Sequence, residues 1–240
     1  MQRSLPNVRD LSVIAVDWSG ARRAKGIWIA VVRGGALVES RGDWTREGAI
    51  AFVAGCEGPV IAGFDFSFSV PQWFARQNRC GTVENVWDLA AAEGECWLTP
   101  NPPFWRERCT VPPAQRFRRC ETRFPTTKSI FQLVGNGQVG AGSVRGMPLL
   151  RELRTAGFTI WPFDAPGTRV AFEIYPTALR ALCADAGPFA SNDERDAVCA
   201  AHVMWSARES VAALTVATDD VTRLEGDVWM PPVEVATASP

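Results

Sequence analysis

Two short apolar runs that each end in an aspartate constrain the fold of this chain more than any other feature. The runs cover residues 11–17 and 60–65, and their last residues are Asp17 and Asp65. Continuous apolar runs of this length, bounded by turn residues, are typical of strands that are buried on both faces of a sheet. A helix is predicted between them at 46–56. This strand–helix–strand order favours two parallel, neighbouring strands.

The remaining patterns complete a mixed sheet. Glycine-containing turns connect the first run to predicted strands at 26–32 and 36–40, which form an antiparallel meander. Further strands are predicted at 158–163 and 169–175, and further helices at 83–93, 148–156, 176–186 and 191–206. We therefore predict one α/β domain over residues 1–240, in which three antiparallel strands precede parallel strands and helices cover both faces. The stretch 72–146 is rich in Pro, Gly and Arg and is predicted to be an insertion or lid that covers or lines a site.

Carboxylates dominate the candidate site residues. If the two apolar strands are parallel neighbours, Asp17 and Asp65 emerge at the same edge of the sheet, on strands about 5 Å apart. In the last long predicted helix, Asp193 and Asp196 are three residues apart and share a face that continues towards the core. Glu173, in a predicted strand, is a further candidate, with a purely structural glutamate as the alternative. An aspartate at a strand end is a common turn cap, but two in the same context favour a shared role.

The scarcity of other ligand types narrows the chemistry. The one histidine, His202, lies in an apolar helical run, and we interpret it as a packed core residue. The seven cysteines form no C-x-x-C pair, which argues against structural zinc and against a disulfide framework. A set of oxygen ligands favours Mg²⁺ or Mn²⁺ over zinc. Two such ions can bind the attacking and leaving oxygens of a phosphodiester, which suits a site without a conventional base.

The charge pattern predicts a nucleic-acid partner. The net charge of −1 gives no global attraction to nucleic acid. The stretch 104–128, however, interleaves aromatic residues with seven basic ones: Arg106, Arg108, Arg116, Arg118, Arg119, Arg123 and Lys128. Arginine beside aromatic rings suits phosphates and stacked bases, so we expect DNA or RNA to bind here, with an internally ion-paired loop as the alternative. No apolar run could cross a membrane and no signal-peptide core is visible, so we expect a cytoplasmic protein without a membrane partner.

Two segments are predicted to approach phosphate. Ser19 and Gly20 follow the first aspartate and are small enough to let a phosphate come close to the backbone. The string GNGQVG at 135–140 imitates a dinucleotide-binding fingerprint. Gly142 and Gly146 interrupt the helix that such a site needs, so we interpret the segment as a loop. Polar side chains around this loop could contact phosphate: Lys128, Gln132, Gln138, Ser143 and Arg145.

The order of these motifs resembles the RNase H-like superfamily. The motifs are D-W-S-G-A after the first strand, G-F-D-F after the next parallel strand, then E-I-Y-P, and D-x-x-D-A at the start of a helix. The strongest resemblance is to a predicted-nuclease family, domain of unknown function four-two-nine, which the segments 128–150 and 225–231 also resemble. The helix motif is similar to that of Holliday-junction resolvases.

This resemblance implies an RNase H-like fold and a Mg²⁺- or Mn²⁺-dependent nuclease. Asp17 would be the ligand from the first strand, Asp65 the second ligand, and Asp196, with Asp193 beside it, the ligands from the helix. One feature departs from the resolvase pattern, because the second acid there is a glutamate and this chain has Asp65. Nuclease activity in this family is itself inferred from the fold, so the resemblance implies a site more firmly than a substrate.

Two other functions remain open. Actin-like and sugar-kinase-like proteins bind ATP or phosphate with an acid-containing first hairpin, and D-W-S-G is compatible with that use. Those proteins usually need two such domains, and no second copy of the hairpin is visible in this chain. A non-catalytic nucleic-acid-binding domain is the third possibility. Metal-dependent cleavage would indicate the nuclease, and ATP turnover would indicate the nucleotide-binding protein. The absence of both activities would favour the non-catalytic domain.

Overall fold

A computed structural model of the chain describes residues 10–22, 26–99, 102–107, 109–133, 139–184 and 187–232. Of the predicted phosphate contacts, Gln138 lies outside the described residues. The same holds for Gly135 and Gly137 of the glycine-rich string and for Arg108 of the basic stretch.

Six strands form one mixed sheet. The strands are β1 (Ser12–Asp17), β2 (Ile27–Arg33), β3 (Ala36–Trp44), β4 (Val60–Phe64), β5 (Thr159–Ile160) and β6 (Arg169–Glu173), in the spatial order β3-β2-β1-β4-β6-β5. The first three are antiparallel neighbours, whereas β4 is parallel to β1 and to β6, and β5 is parallel to β6. The predicted α/β mixed sheet, with antiparallel strands followed by parallel ones, is confirmed at this level.

Helices cover both faces of the sheet. They are α1 (Arg46–Gly55), α2 (Gln72–Gln77), α3 (Val83–Trp97), α4 (Val139–Gly146), α5 (Leu150–Thr155), α6 (Pro176–Arg180), α7 (Asn192–Ser206), α8 (Arg208–Val211) and α9 (Asp220–Glu225). Short 3₁₀ helices at Pro113–Gln115, Cys120–Arg123 and Met147–Leu149 lie between them. No helix in these described ranges is both long enough and apolar enough to cross a bilayer.

Alternate residues of the central strands supply two separate hydrophobic cores. In β1, Ile14 and Val16 pack in the core beneath α1, α3 and α5, whereas Val13 and Ala15 pack in the core beneath α6 and α7. In β4 the even-numbered residues face the first core, and Ile61 faces the second. Side chains along a strand alternate between faces, so the parity of a residue decides which core it reaches.

The stretch 72–146 is more helical than the sequence predicted. The helix predicted at 83–93 is confirmed as α3, which runs on to Trp97, but α2 and α4 were not predicted. The interpretation of 139–146 as a loop is wrong. Its glycines permit close packing, since a Cβ on Gly142 would lie 3.3 Å from Trp18 and one on Gly146 would lie 2.7 Å from Phe66. Helix α4 therefore packs into the hydrophobic core that lies between the sheet and helices α1, α3 and α5.

Other elements also differ from the prediction. The strand at 158–163 shortens to β5, because Asp164 accepts a hydrogen bond from the Ile160 N–H and turns the chain. The helix at 176–186 ends at Arg180, where the Leu182 N–H bonds back to the Leu179 carbonyl in a tighter turn. Helix α9 was not predicted, although Asp219 caps its first turn through Val221 and Thr222.

Candidate metal centre

The parallel pairing of β1 and β4 brings Asp17 and Asp65 to one edge of the sheet. Val16 of β1 lies opposite Phe64 of β4, and the Asp65 N–H donates to the Val16 carbonyl at 3.0 Å. The two aspartates are therefore at matching positions on adjacent strands. Both continue the series of alternate residues that faces α7, so their carboxylates leave the sheet on the same face.

Helix α7 adds two carboxylates on this face. Ser191 caps the helix by accepting a hydrogen bond from the Glu194 N–H at 3.0 Å. The Glu194 side chain accepts hydrogen bonds from the Ser40 hydroxyl of β3 and from the Ala190 N–H. These contacts fix the start of α7 against β3. Asp193 and Asp196 follow in its first two turns.

The two helical aspartates differ in exposure. Asp193 is exposed and lies beside the first hairpin, where a Cβ on Gly26 would be 3.4 Å from Asp193 Oδ2. Asp196 is largely buried, with 19% of its side chain exposed, and Ala200 and Val203 continue its face into the core. The predicted inward face of the helix is confirmed for Asp196, and Asp193 lies at the rim.

These carboxylates shift one another's protonation. Burial, and then the charges of Asp65, Asp193 and Asp196, raise the pKa of Asp17 to about 9. Burial, and then the charges of Asp196 and Glu173, raise the pKa of Asp65 to about 8. Burial also raises the pKa of Asp196, although the nearby Arg180 opposes this rise. Like charges that share a low-dielectric site cannot all ionise unless a cation compensates them.

Within the described residues the cluster has little positive charge of its own. The Asp17 and Asp65 side chains form no hydrogen bond or ion pair there, and every cause that acts on their pKa raises it. Asp196 Oδ1 lies 3.1 Å from Arg180 Nη1, yet it is buried without a hydrogen bond. A group of partly buried carboxylates with one arginine beside it offers the oxygen donors that Mg²⁺ or Mn²⁺ prefers.

Donor type and charge therefore fit a hard divalent cation, whereas the spacing is not that of a ready-made site. No three His, Cys, Asp or Glu side chains in the described ranges are arranged closely enough to hold a metal ion. Repulsion between the carboxylates opposes such an approach until a cation is present. Asp17, Asp65 and Asp196 are the residues that would hold it.

Glu173 does not belong to this group. It lies opposite Phe64 in the β4–β6 register, one position before Asp65, and so its side chain leaves the sheet on the other face. There the Arg118 guanidinium forms two hydrogen bonds with its carboxylate, and the Phe68 N–H donates to Oε2 at 3.0 Å. Both oxygens are occupied, so the structural alternative describes Glu173 better than a catalytic role.

The turn after Asp17 has its backbone oxygens bound by two arginines. Arg46 donates to the Ser19 carbonyl at 3.0 and 3.2 Å and also to that of Ala21. Arg145 donates to the Gly20 carbonyl at 2.8 Å and pairs with both carboxylate oxygens of Glu95. Gly20 and Arg145, which were each predicted to approach phosphate, contact each other, and Arg145 is engaged by protein groups. The Ser19 hydroxyl accepts from the Ala21 N–H at 3.3 Å.

Helix α4 braces the segments that follow both aspartates. The Trp18 indole N–H donates to the Gly142 carbonyl at 3.1 Å, and the Ser143 hydroxyl accepts from the Ser67 N–H at 2.8 Å. Ser143 is fully buried, so its predicted phosphate contact is wrong. Phe66 packs against the open side of Gly146. The contacts of α4 with Trp18 and Phe66 were not predicted, because glycine spacing alone does not distinguish a closely packed helix from a loop.

Lys128 is the predicted phosphate contact that remains exposed beside the carboxylates. It lines a cavity of about 30 Å³ together with Asp65, Tyr175 and Val139, the first residue of α4. No ion pair to Lys128 is present in the described part of the chain. Its side chain is therefore exposed at a small cavity that Asp65 also lines.

The basic stretch 104–128 is mostly internal structure. Arg118 is fully buried and bridges Glu121 and Glu173, so its predicted contact with nucleic acid is wrong. Arg119 and Arg123 are exposed but pair with acids of the C-terminal segment, Asp219 and Asp227. Arg106 and Arg116 bind backbone carbonyls. The alternative of an internally ion-paired loop describes most of this segment.

Comparison of the chain with protein-family models, curated proteins and solved structures gives no match.

Proposed function

We propose that this chain is a divalent-cation-dependent phosphodiester hydrolase that acts on nucleic acid. The observation that carries the proposal is the convergence of Asp17, Asp65 and Asp196. Three separate elements direct them to one face at one edge of the sheet, where nearby positive charge is insufficient. Carboxylates with too little positive charge nearby destabilise the folded protein, and a bound cation would compensate their charge.

Each residue has a distinct part in this proposal. Bound Mg²⁺ or Mn²⁺ would supply an activated water and stabilise the charge that develops on the phosphate. Asp17 and Asp65 would hold the cation from the rigid strand ends, and Asp196 would hold it from α7. Asp193 stands at the rim and would attract cations from solvent. Lys128 would pair with a phosphate of the substrate.

An RNase H-like fold is part of the same proposal. The sheet has the three antiparallel strands followed by parallel strands that the resemblance implies, and helices lie on both of its faces. The nucleic-acid substrate rests on the motif resemblance together with Lys128. Most of the basic stretch is engaged internally, so we propose that the nucleic acid approaches at the carboxylate edge, over Lys128, rather than along that stretch.

A cleavage assay tests the proposal. The protein is incubated with single-stranded and structured DNA and RNA in Mn²⁺ or Mg²⁺, beside Asp17→Asn and the control Asp220→Asn, which changes an exposed acid on α9. We expect cation-dependent cleavage that Asp17→Asn reduces by ~100-fold or more and that Asp220→Asn leaves intact. Cleavage that persists in Asp17→Asn, or ATP turnover without any cleavage, would contradict the proposal.

A further inference from the structure

The contact between Arg180 and Asp196 is an ion pair without a hydrogen bond. Arg180 Nη1 lies 3.1 Å from Asp196 Oδ1, but this buried oxygen has no hydrogen-bond partner in the described ranges. A guanidinium that binds a carboxylate firmly directs its N–H groups along the oxygen lone pairs. Here the arginine supplies charge without that geometry. The lone pairs of Oδ1 are therefore unbonded, and they can accept a different cation once the guanidinium moves away.

Arg180 is also placed so that it can move. It is the last residue of the short helix α6, and 29% of its side chain is exposed. Among the described residues it is the only basic one that forms an ion pair with Asp17, Asp65, Asp193 or Asp196. Its side chain can swing into solvent without breaking a backbone hydrogen bond of α6.

We propose that Arg180 is a resident counter-ion that occupies the metal-binding oxygen of Asp196 and leaves it when a divalent cation binds. The inference rests on the proposed function, because it assumes that the carboxylate cluster takes up a cation. A guanidinium and a divalent ion on the same oxygen would repel each other strongly in a partly buried site. Arg180 therefore acts as a positioning residue that sets the cation concentration at which the site fills.

The chain offers a matched control for this proposal. Arg195 precedes Asp196 on α7 and also lowers the pKa of Asp196 through its charge, but it forms no ion pair with it in the described structure. Removing either arginine removes one positive charge near the cluster. Only the removal of Arg180 also frees Asp196 Oδ1. The two effects are therefore separable.

Manganese binding measured by electron paramagnetic resonance at pH 8 tests the proposal. We expect Arg180→Met to bind Mn²⁺ about 3–10-fold more tightly than wild type, and Arg195→Met to differ from wild type by less than about twofold. Without metal, Arg180→Met should unfold at a lower temperature than wild type, and Mn²⁺ should raise its melting temperature by more. Arg180→Lys, which keeps the charge, should show a smaller gain and serves if the methionine variant does not fold.

The outcomes separate this inference from the proposed function. Unchanged Mn²⁺ affinity in the Arg180 variants, or an equal gain in Arg195→Met, overturns the inference alone. Tighter Mn²⁺ binding in Arg180→Met, without cleavage of any phosphodiester by either protein, supports the inference and contradicts the proposed function. No saturable Mn²⁺ binding in wild type or in any variant overturns both.

Discussion

Glu173 and Asp65 show how one position in a strand decides the role of a carboxylate. The two residues lie on neighbouring parallel strands, and Glu173 pairs with the residue just before Asp65. That offset of one places Glu173 against Arg118 and leaves Asp65 with no described partner. The sequence shows an acid near each strand end, but the register between β4 and β6 cannot be read from the sequence. The pairing of Glu173 with Arg118, which lies more than 50 residues away in the chain, could not be predicted from the sequence either.

The replacement Glu173→Gln tests this assignment. It removes one of the two carboxylates that pair with the fully buried Arg118, and Glu121 still compensates the arginine charge. We expect the free energy of unfolding to fall by about 1.5–3 kcal/mol, because charge-assisted hydrogen bonds in a buried site are replaced by weaker ones. Urea titration measures this loss. Asp88→Asn, which breaks the exposed pair with Arg151, is the control and should cost about 1 kcal/mol or less.

The same variant separates a structural role from a metal ligand. Glu173→Gln should bind Mn²⁺ with the affinity of wild type as long as it is folded. A variant that keeps wild-type stability but loses Mn²⁺ binding would show that Glu173 belongs to the cation site.

At the scale of elements, helix α4 holds the carboxylate edge in place. It contacts Trp18, which follows Asp17, and Phe66 and Ser67, which follow Asp65. The strands, α3 and α7 were predictable, because their apolar periodicity and caps are local signals. Helix α4 was not predictable, since glycines are locally typical of helix breaks. In the structure, Gly142 and Gly146 leave room for aromatic rings from distant parts of the chain.

Gly146→Ala tests the importance of this close packing. The added Cβ would lie 2.7 Å from two atoms of the Phe66 ring, so we expect a loss of about 1–3 kcal/mol and weaker Mn²⁺ binding. Gly55→Ala at the end of α1 is the matched control. Its Cβ would meet nothing within 4 Å, and alanine should leave stability unchanged or raise it by up to about 1 kcal/mol. Equal effects of the two substitutions would contradict the role of α4 as a brace.

At the scale of the whole molecule, the cluster makes stability depend on pH. The ordinary pKa of these aspartates is 3.8, whereas the folded protein raises that of Asp17 to about 9 and that of Asp65 to about 8. Between these values the folded state holds protons that the unfolded chain releases. The contribution of these two groups to stability therefore falls as the pH rises from about 4 to about 9.

Thermal unfolding in a chelator at pH 5, 7 and 9 tests this dependence. We expect the melting temperature of wild type to fall relative to that of Asp17→Asn as the pH rises. At pH 9 the variant should melt at least ~2 °C higher, because it removes one member of a repelling group. A constant difference between the two proteins at all three pH values would contradict the raised pKa of Asp17.

The fold was thus more predictable than the site. Strand order near Asp17 and Asp65 followed from local patterns and the βαβ rule, and so did their common edge. The partners of the basic stretch did not, because Asp219 and Asp227 lie about 100 residues further along the chain. Arg180 carried no distinguishing signal either, since a basic residue at a helix end is common.

The proposed hydrolase activity requires that the carboxylate cluster binds a divalent cation, and a Mn²⁺ titration at pH 8 measures this directly. Wild type should bind Mn²⁺ saturably, more tightly at pH 8 than at pH 6, because protons compete for Asp17 and Asp65. The triple variant Asp17→Asn, Asp65→Asn, Asp196→Asn should fold and bind no Mn²⁺ at the same concentrations. Saturable Mn²⁺ binding that survives in the triple variant would show that Asp17, Asp65 and Asp196 do not hold the cation.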